Sequence, residues 1–221
     1  MKKILDGIVD IDKYNTAKYK VLWILKEGNV DPADKDIDRD IRLEILKNQH
    51  KENACAIPTF RKIIYSTYGI LYPDIDWLDI PPANKDSYEI LKKIAYININ
   101  KFPGDSVSSD ALIRDSYRKN KTELLSQISD IAPNIIIFGG TSQYFPEEDL
   151  QTIGWDATQT SRFVVKDPES DNEITCYSNS KKKLIICAYH PAYFGISDFD
   201  YYSVIREAVI VWEKRNTKTL K

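Results

Sequence analysis

YKVLWILKEGN, residues Tyr19 to Asn29, decides how this chain is read. Val21, Leu22, Trp23, Ile24 and Leu25 form an unbroken apolar run of strand length, and Lys26, Glu27, Gly28 and Asn29 end it with polar and flexible residues. A strand apolar on both faces needs a covering layer on each, which predicts a mostly parallel sheet between two layers of helices. Ligands of such sheets sit beyond the carboxyl ends of the strands. Glu27 therefore stands either where a functional carboxylate belongs or as a solvated residue of a turn.

Three later stretches resemble the first. AYININ, Ala95 to Asn100, reads as a second central strand leading into Lys101 and a Phe-Pro-Gly turn; NIIIFGG, Asn134 to Gly140, reads as a third. Leu184 to Ala188 reads as a fourth, entered through Lys181, Lys182 and Lys183 and left through YHPAYFG. Asn98 and Asn100, two apart, share a face of a regular strand, where either presents an amide to a ligand or both tie down the neighbouring loop. The Gly-Gly pair of the third strand permits close backbone approach or a positive φ at the exit. His190 joins Glu27 and Asn98 at the same edge.

Between the strands, apolar spacing predicts a lead-in helix within residues 1–17, built on Ile4, Leu5, Ile8 and Ile11, and a helix opened by Asp31 and Pro32 with Ile37, Ile41 and Ile45 on its face. Another runs from Pro58 to near Gly69, and Asp86 with Glu89 marks a capping box. Two helices follow, over 108–119 and from Asn120 to Pro133, then a short one over 146–152, and a last one is capped by Asp198. Residues 71–84, with three prolines, read as an irregular excursion or a lid. Ser161 to Val165 and Ile174 to Ser178 read as a hairpin at the sheet edge or a subsidiary ribbon. The expected architecture is a three-layer α/β/α sandwich with a mostly parallel four-stranded central sheet, forming one domain over 1–221 with a lead-in segment at 1–18 and a frayed tail at 216–221.

The 221 residues suffice for one substantial core, and 43% apolar with 29% charged content is that of a soluble globular protein. A formal net charge of -2 supplies no global attraction to nucleic acid, although a local basic groove remains compatible with it. No stretch approaches the roughly 18 apolar residues of a membrane span, and the start has no signal-peptide pattern, so a cytoplasmic location without membrane association is expected. Cys55, Cys176 and Cys187 lack the spacing of a zinc or iron-sulfur site and read as reduced thiols; neither metal nor cofactor is expected.

The succession of strand exits resembles the uracil-DNA glycosylase-like superfamily, an α/β/α fold with a four-stranded central sheet. VLWILKEGN occupies the place of its first motif, Gly-Glu-Ala-Pro-Gly or Gly-Gln-Asp-Pro in different branches. AYININKFPG resembles its second strand, with an asparagine before a lysine and a proline; NIIIFGG resembles its third strand and YHPA its His-Pro-Ser motif. The resemblance covers about residues 19 to 213 and implies hydrolysis of an N-glycosidic bond after a nucleotide is flipped out of DNA. It makes Glu27 the acidic residue that positions water, Asn98 the reader of the flipped base, and His190 the donor toward the base oxygen. Phe60 would stack on the base and Lys26 and Lys101 would contact the substrate, while Tyr193 and Phe194 either wedge into the base stack or pack in the core or a lid.

The chain departs from the pattern at Lys26 in place of glycine, Asn29 in place of proline and Ala192 in place of serine. Lys26 either contacts a phosphate or obstructs the pocket, and the iron-sulfur cysteines of some branches are missing. The implied partner is DNA carrying a damaged base, bound by a monomer. A hydrolase of another nucleotide-like substrate and a noncatalytic nucleic-acid or protein interaction module stay open as alternatives.

Overall fold

The computed structural model describes residues 2–28, 36–83, 86–104, 108–155, 160–167, 170–179 and 182–218. Two minimal strands, β1 (Ile4–Leu5) and β2 (Gly7–Ile8), precede a short helix α1 (Ile11–Thr16) and the strand β3 (Val21–Leu25). Next come β4 (Arg39–Asp40), α2 (Ile41–Leu46), α3 (Pro58–Leu71), β5 (Ile94–Asn98), α4 (Asp110–Ile131), β6 (Ile135–Gly139) and α5 (Glu147–Thr152). The hairpin β7 (Thr160–Lys166) and β8 (Glu173–Asn179), then β9 (Leu184–Ala188) and α6 (Asp198–Lys218), complete the described strands and α-helices, with short 3-10 turns at Lys51–Ala56, Trp77–Asp79, Tyr88–Lys93 and Ser142–Tyr144.

The main sheet is seven-stranded and mixed, in the order β2-β5-β3-β6-β9-β8-β7, and β1 pairs with β4 in a separate two-stranded sheet. This corrects the expected four-stranded, mostly parallel sheet. The four apolar runs do lie side by side and parallel at its centre. Antiparallel β2 extends the sheet past β5, and the antiparallel hairpin extends it past β9. The flanks were hard to count because their patterns are weak: β2 is two residues long, and β7 buries only Phe163 and Val165 among its seven. Edge strands carry one covered face and so lack the continuous apolar run of the centre.

Alternate residues of β3 point into two cores, as strand geometry requires. Val21, Trp23 and Leu25 pack with Ile63, Ile64 and Ile70 of α3 and with Val204, Ile205, Ala208, Val209 and Trp212 of α6. Leu22 and Ile24 pack with Tyr14 of α1 and Ile113, Tyr117, Leu124, Ile128 and Ile131 of α4. The sheet thus lies between two helical layers. Helices α3 and α6 approach closely at Gly69, where a Cβ would lie 2.7 Å from the Tyr202 ring.

Local differences have local causes. The lead-in helix gives way to β1 and β2 because Gly7 adopts φ 133° between Ile4 and Ile8, whose four-residue spacing only mimics a helix. Asp31 and Pro32 lie outside the described residues; the helix that is described starts after Asp40, whose carboxylate accepts the N–H groups of Arg42 and Leu43, and Ile37 is exposed. Asn120 starts no new helix, since α4 runs unbroken through it until Ala132 turns left-handed before Pro133. The described part of the expected 71–84 excursion straps α3 to α6: Trp77 packs on Tyr65 and Tyr202 at 4.7 and 5.1 Å, and Arg206 Nε donates to the Pro73 carbonyl at 2.7 Å.

Candidate functional site at the strand exits

β3 and β5 pair in register from Val21 with Ile94 to Leu25 with Asn98. Their exits stay paired beyond the strands: Ile99 N–H donates to Leu25 O at 2.9 Å, Asn100 N–H to Lys26 O at 2.8 Å and Gly104 N–H to Gly28 O at 2.9 Å. This brings Asn100 Nδ2 to Glu27 Oε2 at 2.9 Å, while Asn100 Oδ1 accepts from Phe102 N–H at 3.2 Å. The main chain at Gly104 closes over the same carboxylate; a Cβ there would stand 2.1 Å from Glu27 Cδ. Glu27 Oε1 is buried and has no hydrogen-bond partner among the described residues. One oxygen is anchored by a neutral amide and the other is left to accept.

Asn98 ends β5. Its N–H donates to Asp6 Oδ2 at 2.9 Å, but its side chain, 1% exposed, finds no partner for Nδ2 or Oδ1 among the described residues. The Tyr96 hydroxyl on the same strand face approaches the amide without satisfying either end. A buried polar group without a partner costs about 1–3 kcal/mol, so folding leaves a donor and an acceptor here at a real penalty. Lys101 is placed differently. Its ammonium donates to Asp6 at 2.7 and 3.0 Å and to Gln127 Oε1 at 2.8 Å, all three bonds inside the protein, and it is 2% exposed. A lysine so engaged has no N–H left for a ligand, which removes the substrate contact expected of it.

His190 follows β9 and is brought against the exit of β6. Gly140, at φ 69°, donates its N–H to Ala188 O at 2.8 Å, and a Cβ on it would lie 3.2 Å from the His190 nitrogen. A Cβ on Gly139 would meet Leu25 at 2.3 Å and Pro191 at 3.0 Å, so the glycine pair is what admits the His-Pro turn. Ala192 N–H donates to His190 Nδ1 at 3.1 Å. An accepting Nδ1 puts the proton on Nε2. Burial, then the ammonium groups of Lys26 and Lys62, pull the imidazole pKa from 6.5 down to about 4, so the ring is neutral at physiological pH.

Glu27 and Asn98 thus lie on adjoining strands, while His190 leaves β9, two strands from β3 across β6; at the usual strand spacing this separates the exits by roughly 10 Å. The Lys26 ammonium makes no hydrogen bond or ion pair among the described residues, and its charge acts on both His190 and Asp110. Phe60, near the start of α3, packs its ring 6.0 Å from His50 and 6.4 Å from Tyr88. A cavity of about 390 Å³ lies elsewhere, between Phe138, Tyr177, Cys187 and the segment from Ser142 to Trp155.

Sequence reasoning missed three residues that shape these exits: Asn100 as the partner of Glu27, Asp6 as the buried partner of Lys101, and Lys62 beside the His190 turn. Asn100 carried a signal, being as close to the exit as Asn98; the others depend on tertiary contacts. Among the described residues no group of three or more histidine, cysteine or carboxylate side chains is placed to hold a metal, and no helix is long and apolar enough to cross a membrane. The described residues form an α/β protein with a seven-stranded mixed sheet, and at its parallel strand exits Glu27 Oε1 and the Asn98 amide have no hydrogen-bond partner among the described residues. No family model and no curated protein matches the sequence.

Proposed function

We propose that the protein hydrolyses the N-glycosidic bond of uracil or a related base in DNA. The observation that carries this reading is the pair of unsatisfied side chains on adjoining strand exits, Asn98 with a free donor and acceptor and Glu27 with a free Oε1. An amide with both ends free complements the carbonyl and ring N–H of a pyrimidine edge, the usual mode of reading a flipped base. A carboxylate oxygen held by Asn100 is suited to orient a water toward C1′ and to take its proton.

In the reaction, the C1′–N bond breaks with its electron pair going to the base while the water oxygen bonds to C1′. Positive character on the sugar is favoured by Glu27, and negative character on the base oxygen is met by the Nε2–H of neutral His190, a donor that strengthens as charge develops. Lys26 adds positive charge on the side where the base anion forms. Phe194, 96% exposed at the turn after His190, is available to fill the stack that the flipped nucleotide leaves. The products are a free base and an abasic sugar.

The test is base release from single-stranded and duplex DNA containing uracil, followed by cleavage of the abasic strand. Wild type should release base, Glu27→Ala and His190→Ala should each lose about a hundredfold or more in turnover with DNA binding retained, and Asn98→Ala should relax base discrimination. Equal kinetics for wild type and all three variants would reject these roles. Binding of DNA without release from any damaged-base substrate would leave a noncatalytic binding module as the reading.

A further inference from the structure

The turn after β9 exposes three aromatic side chains: Phe194 at 96%, Tyr193 at 45% and Tyr189 at 40%. On a slack loop such rings would collapse onto apolar surface, but this loop is tied down. The Tyr201 hydroxyl of α6 donates to Tyr189 O at 2.7 Å, and Tyr193 N–H donates to His190 O at 2.8 Å. The Tyr193 ring lies over Gly195, where a Cβ would stand 2.5 Å from its hydroxyl. The remaining tie comes from α3. Lys62 Nζ donates to the carbonyls of Tyr193 at 2.6 Å and Ile196 at 2.7 Å and stands 5.4 Å from the Tyr201 ring centre, with the residue only 4% exposed.

Burying an ammonium is costly unless it is paired, and Lys62 forms no ion pair among the described residues. The neighbouring carboxylate, Asp198, bonds instead to Arg61 at 2.6 Å. A cation placed at a cost, with its bonds spent on a loop that displays phenylalanine to solvent, is accounted for by what the loop must present. We propose that Lys62 is a positioning residue of the strand-end site, fixing the 190–196 turn so that His190 and Phe194 are held as one rigid unit. The use of that unit rests on the base-excision reading; the clamp itself does not.

The charges that act on His190 are Lys26 at the β3 exit and Lys62 on α3, with Asp198 of α6 and Arg61 of α3 forming a pair beside Lys62. Removing the Lys62 ammonium frees two carbonyls of the turn and removes one positive charge from the imidazole's surroundings. Both consequences can be read without substrate.

The experiment is Lys62→Met in the full chain, followed by amide hydrogen exchange and by an imidazole NMR titration, made simple by there being only two histidines, His50 and His190. Exchange at Ala192 and Tyr193 should quicken about tenfold or more. The His190 midpoint should rise from about 4 by roughly half to one pH unit. Unchanged exchange and an unchanged midpoint in the folded variant overturn the proposal. If Lys62→Met does not fold, Lys62→Gln, one bond too short to span both carbonyls, carries the same expectations and the same overturning result. A wild type that releases no base removes the base-excision reading and leaves the clamp result standing. Where release occurs, the variant should lose roughly tenfold or more in kcat with a smaller change in KM, and an unchanged kcat with a loosened turn would reduce Lys62 to a structural residue.

Discussion

His190 is kept uncharged by burial and by two ammonium groups, and a single backbone N–H from Ala192 selects its tautomer. Because its native pKa lies below the unfolded value, the unfolded chain binds the proton more readily. The stability contributed by the neutral ring is complete above about 6.5 and is lost as pH falls through about 4. Urea denaturation of wild type should therefore show stability declining across that window, and His190→Gln should lack this part of the decline; identical pH profiles would contradict the burial argument. Glu27 and His190 were legible as site candidates because each follows five residues that can only be a central strand. Asn98 and Asn100 could not be told apart, since the alternation that would put them on one face ends at Asn98, where the chain turns and Asn100 reaches Glu27. The engagement of Lys101 was hidden for a different reason: Asp6 is 95 positions away in the chain.

At the scale of elements, α3 and α6 meet where Gly69 faces Tyr202 and Arg206. Alanine is the better helix former by about 1 kcal/mol, but overpacking a filled contact costs about 1–3 kcal/mol. With a Cβ only 2.7 Å from the Tyr202 ring, packing wins, and Gly69→Ala should lower stability by roughly 1 kcal/mol in urea denaturation, the reverse of what propensity predicts. In the sequence this glycine reads as a helix stop, yet α3 continues through it to Leu71, because α6 needs the space. Strand β9 and the start of α6 fall where periodicity puts them, while α4 erases the expected break at Asn120. Long apolar runs survive folding as local statements, whereas the expected caps shift: Ser197 Oγ, not Asp198, accepts the Asp200 N–H, and the segment Tyr88–Lys93 begins after Ser87 with no side-chain cap bond.

The whole molecule is closed at its first residues by one buried ion pair. Lys101 and Asp6, each with a side chain 2% exposed, join the β1–β2 segment to the exit of β5, and Gln127 of α4 donates to Asp6 Oδ1 at 2.9 Å as well. Lys101→Met strands a buried carboxylate and should cost about 3–5 kcal/mol, whereas Asp6→Asn combined with Lys101→Met should cost clearly less. Denaturation of the two variants side by side checks this, and equal losses would mean that packing rather than charge pairing sets the penalty. The seven-stranded order has a consequence for the making of the protein. β3 lies inside the sheet, yet its partners begin only at Ile94 and Ile135, and α6, which covers Trp23 and Leu25, follows both of them in the chain. Such distant pairings form slowly. A nascent chain emerging from the ribosome must therefore carry this fully buried strand unpaired until those partners are made, the interval in which a holding chaperone has the most to grip and a pause in synthesis does the most harm.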